Sequence, residues 1–284
     1  MRVGDANGEH GDMSDRVTIE VDGGVADVKL NRPDKMNAVD GAMFRALVEA
    51  GEEVKANPAV RAVVLSGAGR GFCAGLDFDS FQQMAGEPRE QPAGDLGDLG
   101  SRDDRITNLG QQAVYVWTEM PAATIAAVHG AAVGAGIQLA LGCDIRIVAP
   151  DAKLSVLEIR WGLVPDMTGT QMLPRLVGLD VAKELAFTGR MVSGTEAHEL
   201  GLATRVADDP HAAALELARE IAGKNPFAIK GVKNLLNMAG QVPLADAFKA
   251  EERTMGSLIG SPNNVEAVTA YFEKRDPTFA DRDS

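Results

Sequence analysis

The sequence predicts an α/β core followed by a helical C-terminal region, and two observations carry that expectation. Apolar runs at 62–65 and 124–128 each pass through a turn of small residues into a helical pattern, the alternation that builds an α/β layer structure. Beyond residue 207 the strand signals stop. Four helical patterns follow, at 209–223, 226–239, 243–256 and 262–275, separated by Asn225-Pro226, by the segment from Gly240 to Pro243, and by the segment from Gly260 to Pro262. A boundary near 207 divides a core at 15–207 from a helical region at 208–284.

Taken in order, the segments 16–21 and 25–30 alternate apolar and other residues around Asp22-Gly23-Gly24, which reads as a β-hairpin. Asp40 is placed to cap a helix running to about Lys55, with Ala42, Met43, Ala46, Leu47, Ala50 and Val54 on one face. A strand at 60–65 leads into the first glycine turn. Segment 86–103 mixes Gly, Pro and charge without periodicity and is expected to be a long loop, either a functional lid or disordered. Helix is expected again from 105 to 117. Then come the strand at 124–128, a second glycine turn, a helix from Ala135 to about Leu141, and a strand at 145–148.

Composition narrows the function. The 284 residues are 45% hydrophobic and 24% charged, ordinary for a water-soluble globular chain, with room for one domain plus an appendage. The longest apolar stretch, 122–128, is far short of a membrane span. The first twelve residues are polar and lack a signal-peptide core. Met13 offers an alternative start, residues 1–14 are expected to be disordered, and the location is expected to be cytoplasmic. Cys73 and Cys143 sit in apolar surroundings and read as small core residues of a reducing compartment. Four scattered histidines offer no metal site. A net charge of −13 argues against nucleic acid as a partner.

The two turns hold the chemistry. Phe72-Cys73-Ala74-Gly75-Leu76-Asp77 and His129-Gly130-Ala131-Ala132-Val133-Gly134-Ala135-Gly136 both bring backbone N–H groups forward without bulky side chains in the way. If they converge, they form a two-donor hole for an oxygen that becomes negative during reaction.

These two segments, with Asn31-Arg32-Pro33 and Asn37-Ala38 upstream and Gly169-Thr170-Gln171 downstream, resemble the crotonase (enoyl-CoA hydratase/isomerase) family from about Val17 to Phe279. The resemblance implies a spiral of stacked β-β-α units, with a C-terminal helical region that builds trimers or pairs of trimers. It implies an acyl-CoA thioester as substrate. Coenzyme A is then part of the substrate, with no separate cofactor and no metal.

Carried over residue by residue, the resemblance assigns the two oxyanion donors to the backbone N–H groups of Leu76 and Ala135, the latter standing where the family usually has glycine. Of the two glutamates that flank the double bond in the hydratases, one falls on Glu158 and the other on Gln138, which cannot exchange a proton. Glu158 lies in an apolar stretch, so desolvation is expected to raise its pKa toward a useful range for proton transfer. Asp166 stands where the dienoyl-CoA isomerase branch carries an aspartate, although that branch has a third acid where this chain has Gln138. Two readings of Asp166 stand: a catalytic partner of Glu158, or the N-cap of a helix at 168–176.

The backbone around Lys35, Asn37, Ala38 and Ala74 is expected to contact the pantetheine and adenine. Arg32 and Lys35, with Lys274 or Arg275 of the last helix, are expected to meet the phosphates. Double-bond isomerisation through Glu158 is the leading expectation, since the family's monoenoyl-CoA isomerases work with one glutamate. Hydration with Glu158 as the only acid, and acyl-CoA binding without turnover, are the alternatives.

Overall fold

Residues 16–77 and 105–282 are described by the computed structural model. The expectations for 1–14 and for the 86–103 loop lie outside these residues.

The chain opens with the predicted hairpin, β1 (Val17–Asp22) and β2 (Val25–Leu30), antiparallel across a turn in which Gly23 and Gly24 both take positive φ. Asp40 then caps α1 (Gly41–Ala56), its Oδ1 accepting from Met43 N at 2.8 Å. Next comes β3 (Ala62–Gly67), parallel to β2. The following helix, α2 (Leu109–Thr118), begins four residues later than the sequence pattern indicates. Asn108 and Gln111 form a reciprocal capping box that fixes its start.

Strand β4 (Ala123–Val128) pairs in parallel with β3, and β6 (Ile145–Val148) with β4. Between them lie the short β5 (Ala131–Val133) and α3 (Ala135–Leu141). The short strands β7 (Lys153–Ser155) and β8 (Val192–Ser193) join β5 in a second, small sheet, and β9 (Arg205–Val206) extends the large one. The large sheet runs in the order β1-β2-β3-β4-β6-β9. Helices α4 (Gly169–Val177), α5 (Leu179–Thr188) and α6 (Gly194–Glu199) complete this part.

Alternation along the strands divides the core in two. Val28, Leu30, Val63, Leu65, Ala126 and Val128 face one side, toward α1 and α2. Val25, Ala62, Val64, Ile125, Ala127 and Ile147 face the other side. There they meet Ala214, Leu217 and Ala218 of α7 (Pro210–Ala222). The change in composition at 207 is therefore no break in packing, because the first helix past it covers the second face of the sheet. Beyond α7 run α8 (Pro226–Met238), α9 (Leu244–Leu258) and α10 (Pro262–Glu273). The tail after α10 returns to the core, where Arg282 Nη2 donates to the Val60 carbonyl at 2.7 Å. Among the described residues no helix is long and apolar enough to cross a membrane.

Candidate active site

Because β3 and β4 are parallel neighbours, the turns that follow them leave the same end of the sheet, where ligand crevices form in such folds. The structure brings the two turns together. Cys73 N–H donates to the Ala131 carbonyl at 2.8 Å, and Val133 N–H donates to the Cys73 carbonyl at 3.1 Å. Gly75 has φ +90°, a backbone state that glycine adopts without strain. A β-carbon at Gly75 would lie 2.8 Å from the Val133 carbonyl oxygen and 3.9 Å from Ala135 N. Gly136 lets α3 approach closely, since a β-carbon there would lie 2.9 Å from Cys73 Cβ. Neither Leu76 N–H nor Ala135 N–H donates to a backbone carbonyl among the described residues. Ala135 is the first residue of α3, where the helix leaves its N–H groups unpaired and its dipole is positive.

Glu158 sits at this junction. A β-carbon on Gly134 would lie 3.7 Å from Glu158 Oε1 and 3.9 Å from Gly75 Cα. The glutamate heads a short helical turn, Glu158–Trp161, and is 9% exposed. Its Oε1 accepts from Gln138 Nε2 at 2.6 Å, while Oε2 is buried with no hydrogen-bond partner among the described residues. Burial pushes the Glu158 carboxyl above its ordinary pKa. Its hydrogen bonds, a backbone one and that from Gln138, pull it back, and the negative charge of Asp166 adds to the rise.

Gln138 lies on the second turn of α3 and is 1% exposed. Its Oε1 accepts from Met167 N at 2.9 Å and from Gly169 N at 3.0 Å. These contacts decide between the two readings of Asp166 where capping is concerned. The residue flanking α4 is Thr168, and the N–H groups at that end go to Gln138, so Asp166 does not cap the helix. Asp166 is exposed on the loop leading to Met167, and it acts on Glu158 through charge.

The expected coenzyme A residues divide. Arg32 is engaged inside the protein through one nitrogen: Nη1 donates to Asp77 Oδ2 at 2.6 Å and to the Ala38 carbonyl at 3.1 Å. Asn37 is fully buried, with φ +56°, and its side chain serves the fold. Its Nδ2 faces the carbonyls of Ala68, Gly71 and Phe72, and its Oδ1 accepts from Arg32 N at 2.8 Å. Ala38 is buried, and Ala74 is half-buried with its N–H given to the Met36 carbonyl. Lys35 is exposed on the turn Pro33–Lys35. Lys274 is exposed at the end of α10, in a left-handed conformation with its N–H bonded to its own helix. Both cysteines are buried, and burial pushes each thiol up to about 12, which leaves them inert core groups.

Two relationships escape a reading of the sequence alone, the Arg32–Asp77 pair and the three-way grip of Gln138. Each joins residues far apart in the chain, and no local spacing announces it.

Known proteins are similar to this chain in sequence and in fold. Residues 20–282 match the family model described as enoyl-CoA hydratase/isomerase. The chain is 36% identical over 270 residues to 1,2-epoxyphenylacetyl-CoA isomerase of Escherichia coli, covering 94% of this chain and 99% of the relative. It is 32% identical over 262 residues to a peroxisomal Delta(3,5)-Delta(2,4)-dienoyl-CoA isomerase of Arabidopsis thaliana, covering 91% and 94%. Among solved structures, an enoyl-CoA hydratase from Bacillus anthracis superposes with a TM-score of 0.83 at 30% identity, covering 93% of this chain and 98% of that one.

Proposed function

Since the chain belongs to the enoyl-CoA hydratase/isomerase family and is an acyl-CoA enzyme of that type, we propose that its reaction is double-bond isomerisation of an enoyl- or dienoyl-CoA. The observation that carries this reading is the setting of Glu158. Among the described residues, the Glu158 carboxyl, with one oxygen that has no hydrogen-bond partner, lies where the two turns meet, beside an amide that cannot exchange protons.

In the proposed mechanism the thioester carbonyl lies between Leu76 N–H and Ala135 N–H. Glu158 Oε2 removes a proton from a carbon activated by that carbonyl. The electron pair of the broken C–H bond moves into the thioester, and the two N–H donors stabilise the enolate oxygen, roughly 3–4 kcal/mol for each donor. The proton on Oε2 then returns further along the chain, the double bond shifts, and the carboxylate is regenerated. A raised pKa suits both halves of this cycle. For a conjugated diene, Asp166 is proposed as the second proton station, a reading supported by its charge acting on Glu158. Lys35 and Lys274 are proposed to meet the coenzyme A phosphates. A homotrimer or pair of trimers is proposed as the assembly, supported by the exposed Phe248, Met255, Tyr271 and Phe272 on α9 and α10.

Absorbance assays test the reading. The purified protein is mixed separately with a 3-enoyl-CoA, a dienoyl-CoA whose diene is not conjugated with the thioester, and a crotonyl-type 2-enoyl-CoA. Gain of conjugated absorbance from either of the first two, lost in Glu158→Gln, is the expected result. Loss of the conjugated signal from the third alone would replace isomerisation with hydration. Binding of all three without turnover would leave a non-catalytic acyl-CoA binder.

A further inference from the structure

Segment 73–77 lies between two stretches of chain and pairs with both. On one side Cys73 bridges to Ala132. On the other, Val39 N–H donates to the Gly75 carbonyl at 2.7 Å and Asp77 N–H donates to the Val39 carbonyl at 2.9 Å, making a parallel bridge between Val39 and Leu76. In that pattern Val39 engages residues 75 and 77, and the peptide groups of the residue between them point to the opposite edge. The direction of Leu76 N–H is thus set by a bridge only two hydrogen bonds long.

A chain of alternating charges fastens the far end of that bridge. Arg32 Nη1 pairs with Asp77 Oδ2 at 2.6 Å, the two side chains being 13% and 5% exposed, and the same nitrogen reaches the Ala38 carbonyl. Asp40 Oδ2 stands 3.5 Å from Arg32 and 2.8 Å from Arg16, while Asp40 Oδ1 caps α1. Asp77 is one residue past Leu76, and Ala38 is one residue before Val39. The guanidinium therefore spans both strands of the bridge beside its hydrogen bonds. One nitrogen, Nη1, makes these contacts at the end of the side chain, and lysine, one bond shorter, sets its ammonium short of that place. Turning Arg32 outward to a phosphate would break its ion pair with the buried Asp77 carboxylate.

We propose that the Arg32–Asp77 pair is a positioning device for the Leu76 N–H, holding the Val39–Leu76 bridge in register so that this donor stays aimed at the substrate thioester oxygen. The inference rests on the reading of Leu76 and Ala135 as the oxyanion donors.

The test uses the full chain with a saturated acyl-CoA carrying a ¹³C-labelled thioester carbonyl, which binds without reacting. In the unaltered protein the carbonyl infrared band is expected to fall in frequency on binding. Arg32→Lys and Asp77→Asn are expected to lose at least about half of that shift. Binding of free coenzyme A, which has no thioester carbonyl, should stay within about threefold, and kcat should fall about tenfold or more while KM changes little. If Asp77→Asn fails to fold, Arg32→Lys carries the test, since it keeps the charge and shortens the reach by one bond. A full carbonyl shift in Arg32→Lys would overturn the proposal. So would weakened binding of free coenzyme A beside a full shift, which would return Arg32 to the phosphates. Absence of any shift in the unaltered protein would instead remove the oxyanion reading itself, and that outcome is visible before any variant is made.

Discussion

Gln138 Nε2 donates to Glu158 Oε1 across 2.6 Å, and the oxygen of the same amide is held by the N–H groups of Met167 and Gly169. Two donors facing Oε1 fix which way the amide points, since a flipped amide would set its NH₂ against both of them. Glu158 Oε1 is thereby committed to Gln138, and Oε2 is the oxygen left for a proton. The position that resembles a second catalytic glutamate acts in this chain on the first glutamate and on the start of α4.

Replacing Glu158 with glutamine is expected to lower isomerisation about 10²–10⁴-fold while leaving acyl-CoA binding intact, as measured by turnover and by direct titration. The same change should alter stability in a pH-dependent way. A carboxyl whose pKa is raised by folding favours the folded state below its unfolded pKa, and that contribution is lost as pH rises through the folded value. At neutral pH the natural chain holds a buried group that resists ionising, and E158Q does not. Thermal melts should therefore place E158Q above the unaltered protein at neutral pH and bring the two together in acid. A lower melting temperature for E158Q at neutral pH would contradict the assignment.

The acid limb of kcat/KM reports the ionisation of the free enzyme's base, and two substitutions should move it in opposite directions. Gln138→Met removes a donor that favours the charged form of Glu158, so the limb should shift to higher pH. Asp166→Asn removes a repelling charge, so the limb should shift to lower pH. Asp166 is exposed, so the second shift should be the smaller one and shrink as salt is added. If Asp166 also carries protons, Asp166→Asn will cost dienoyl turnover at the pH plateau, beyond anything a displaced limb explains.

Gln138→Glu should not create an efficient two-acid site. One new oxygen would still accept from Met167 and Gly169 N–H, and the other would face Glu158 Oε1 in place of the amide donor. Two carboxylates so close share a proton. The expected outcome is slower isomerisation at neutral pH with no gain in hydration of a crotonyl-type substrate. A clear gain in hydration would favour the water-adding reading.

Local signals were enough for much of the fold. The Asp22-Gly23-Gly24 hairpin, the Asp40 cap, the small-residue turns and the four C-terminal helices all depend on residues within a few positions of one another. The short strands β5, β7 and β8 do not, because three or fewer residues acquire strand geometry only by pairing across the chain. The site divides in the same way. Glu158 and the two turns were legible from the family resemblance. The placement of Arg32 was not, because a surface phosphate ligand and a buried ion pair look alike until Asp77, 45 residues on, comes into contact. Asp166 reads as a helix cap as readily as a catalytic partner, because nothing nearby shows that the Gln138 amide, 29 residues before Met167, takes the capping role.

Lys233 offers a test of how the helical region is joined to the core that carries the site. It lies on α8 and is 7% exposed. Its ammonium donates to the carbonyls of Trp117 at 3.0 Å and Ala122 at 3.1 Å and pairs with Asp144 at 2.8 Å. Those three groups lie at the end of α2, just before β4 and just before β6, so one side chain ties a C-terminal helix to three core segments. Lys233→Met keeps the buried stem and removes the charge. Asp144 keeps Thr124 N and Oγ1 as donors and is partly exposed, so the cost should be about 2–3 kcal/mol, below the full loss of a buried pair. Denaturant unfolding should show that loss as a lower midpoint with the slope unchanged. A lower slope as well would mean that α8 leaves the core before the rest unfolds, and that the helical region is a separate cooperative unit.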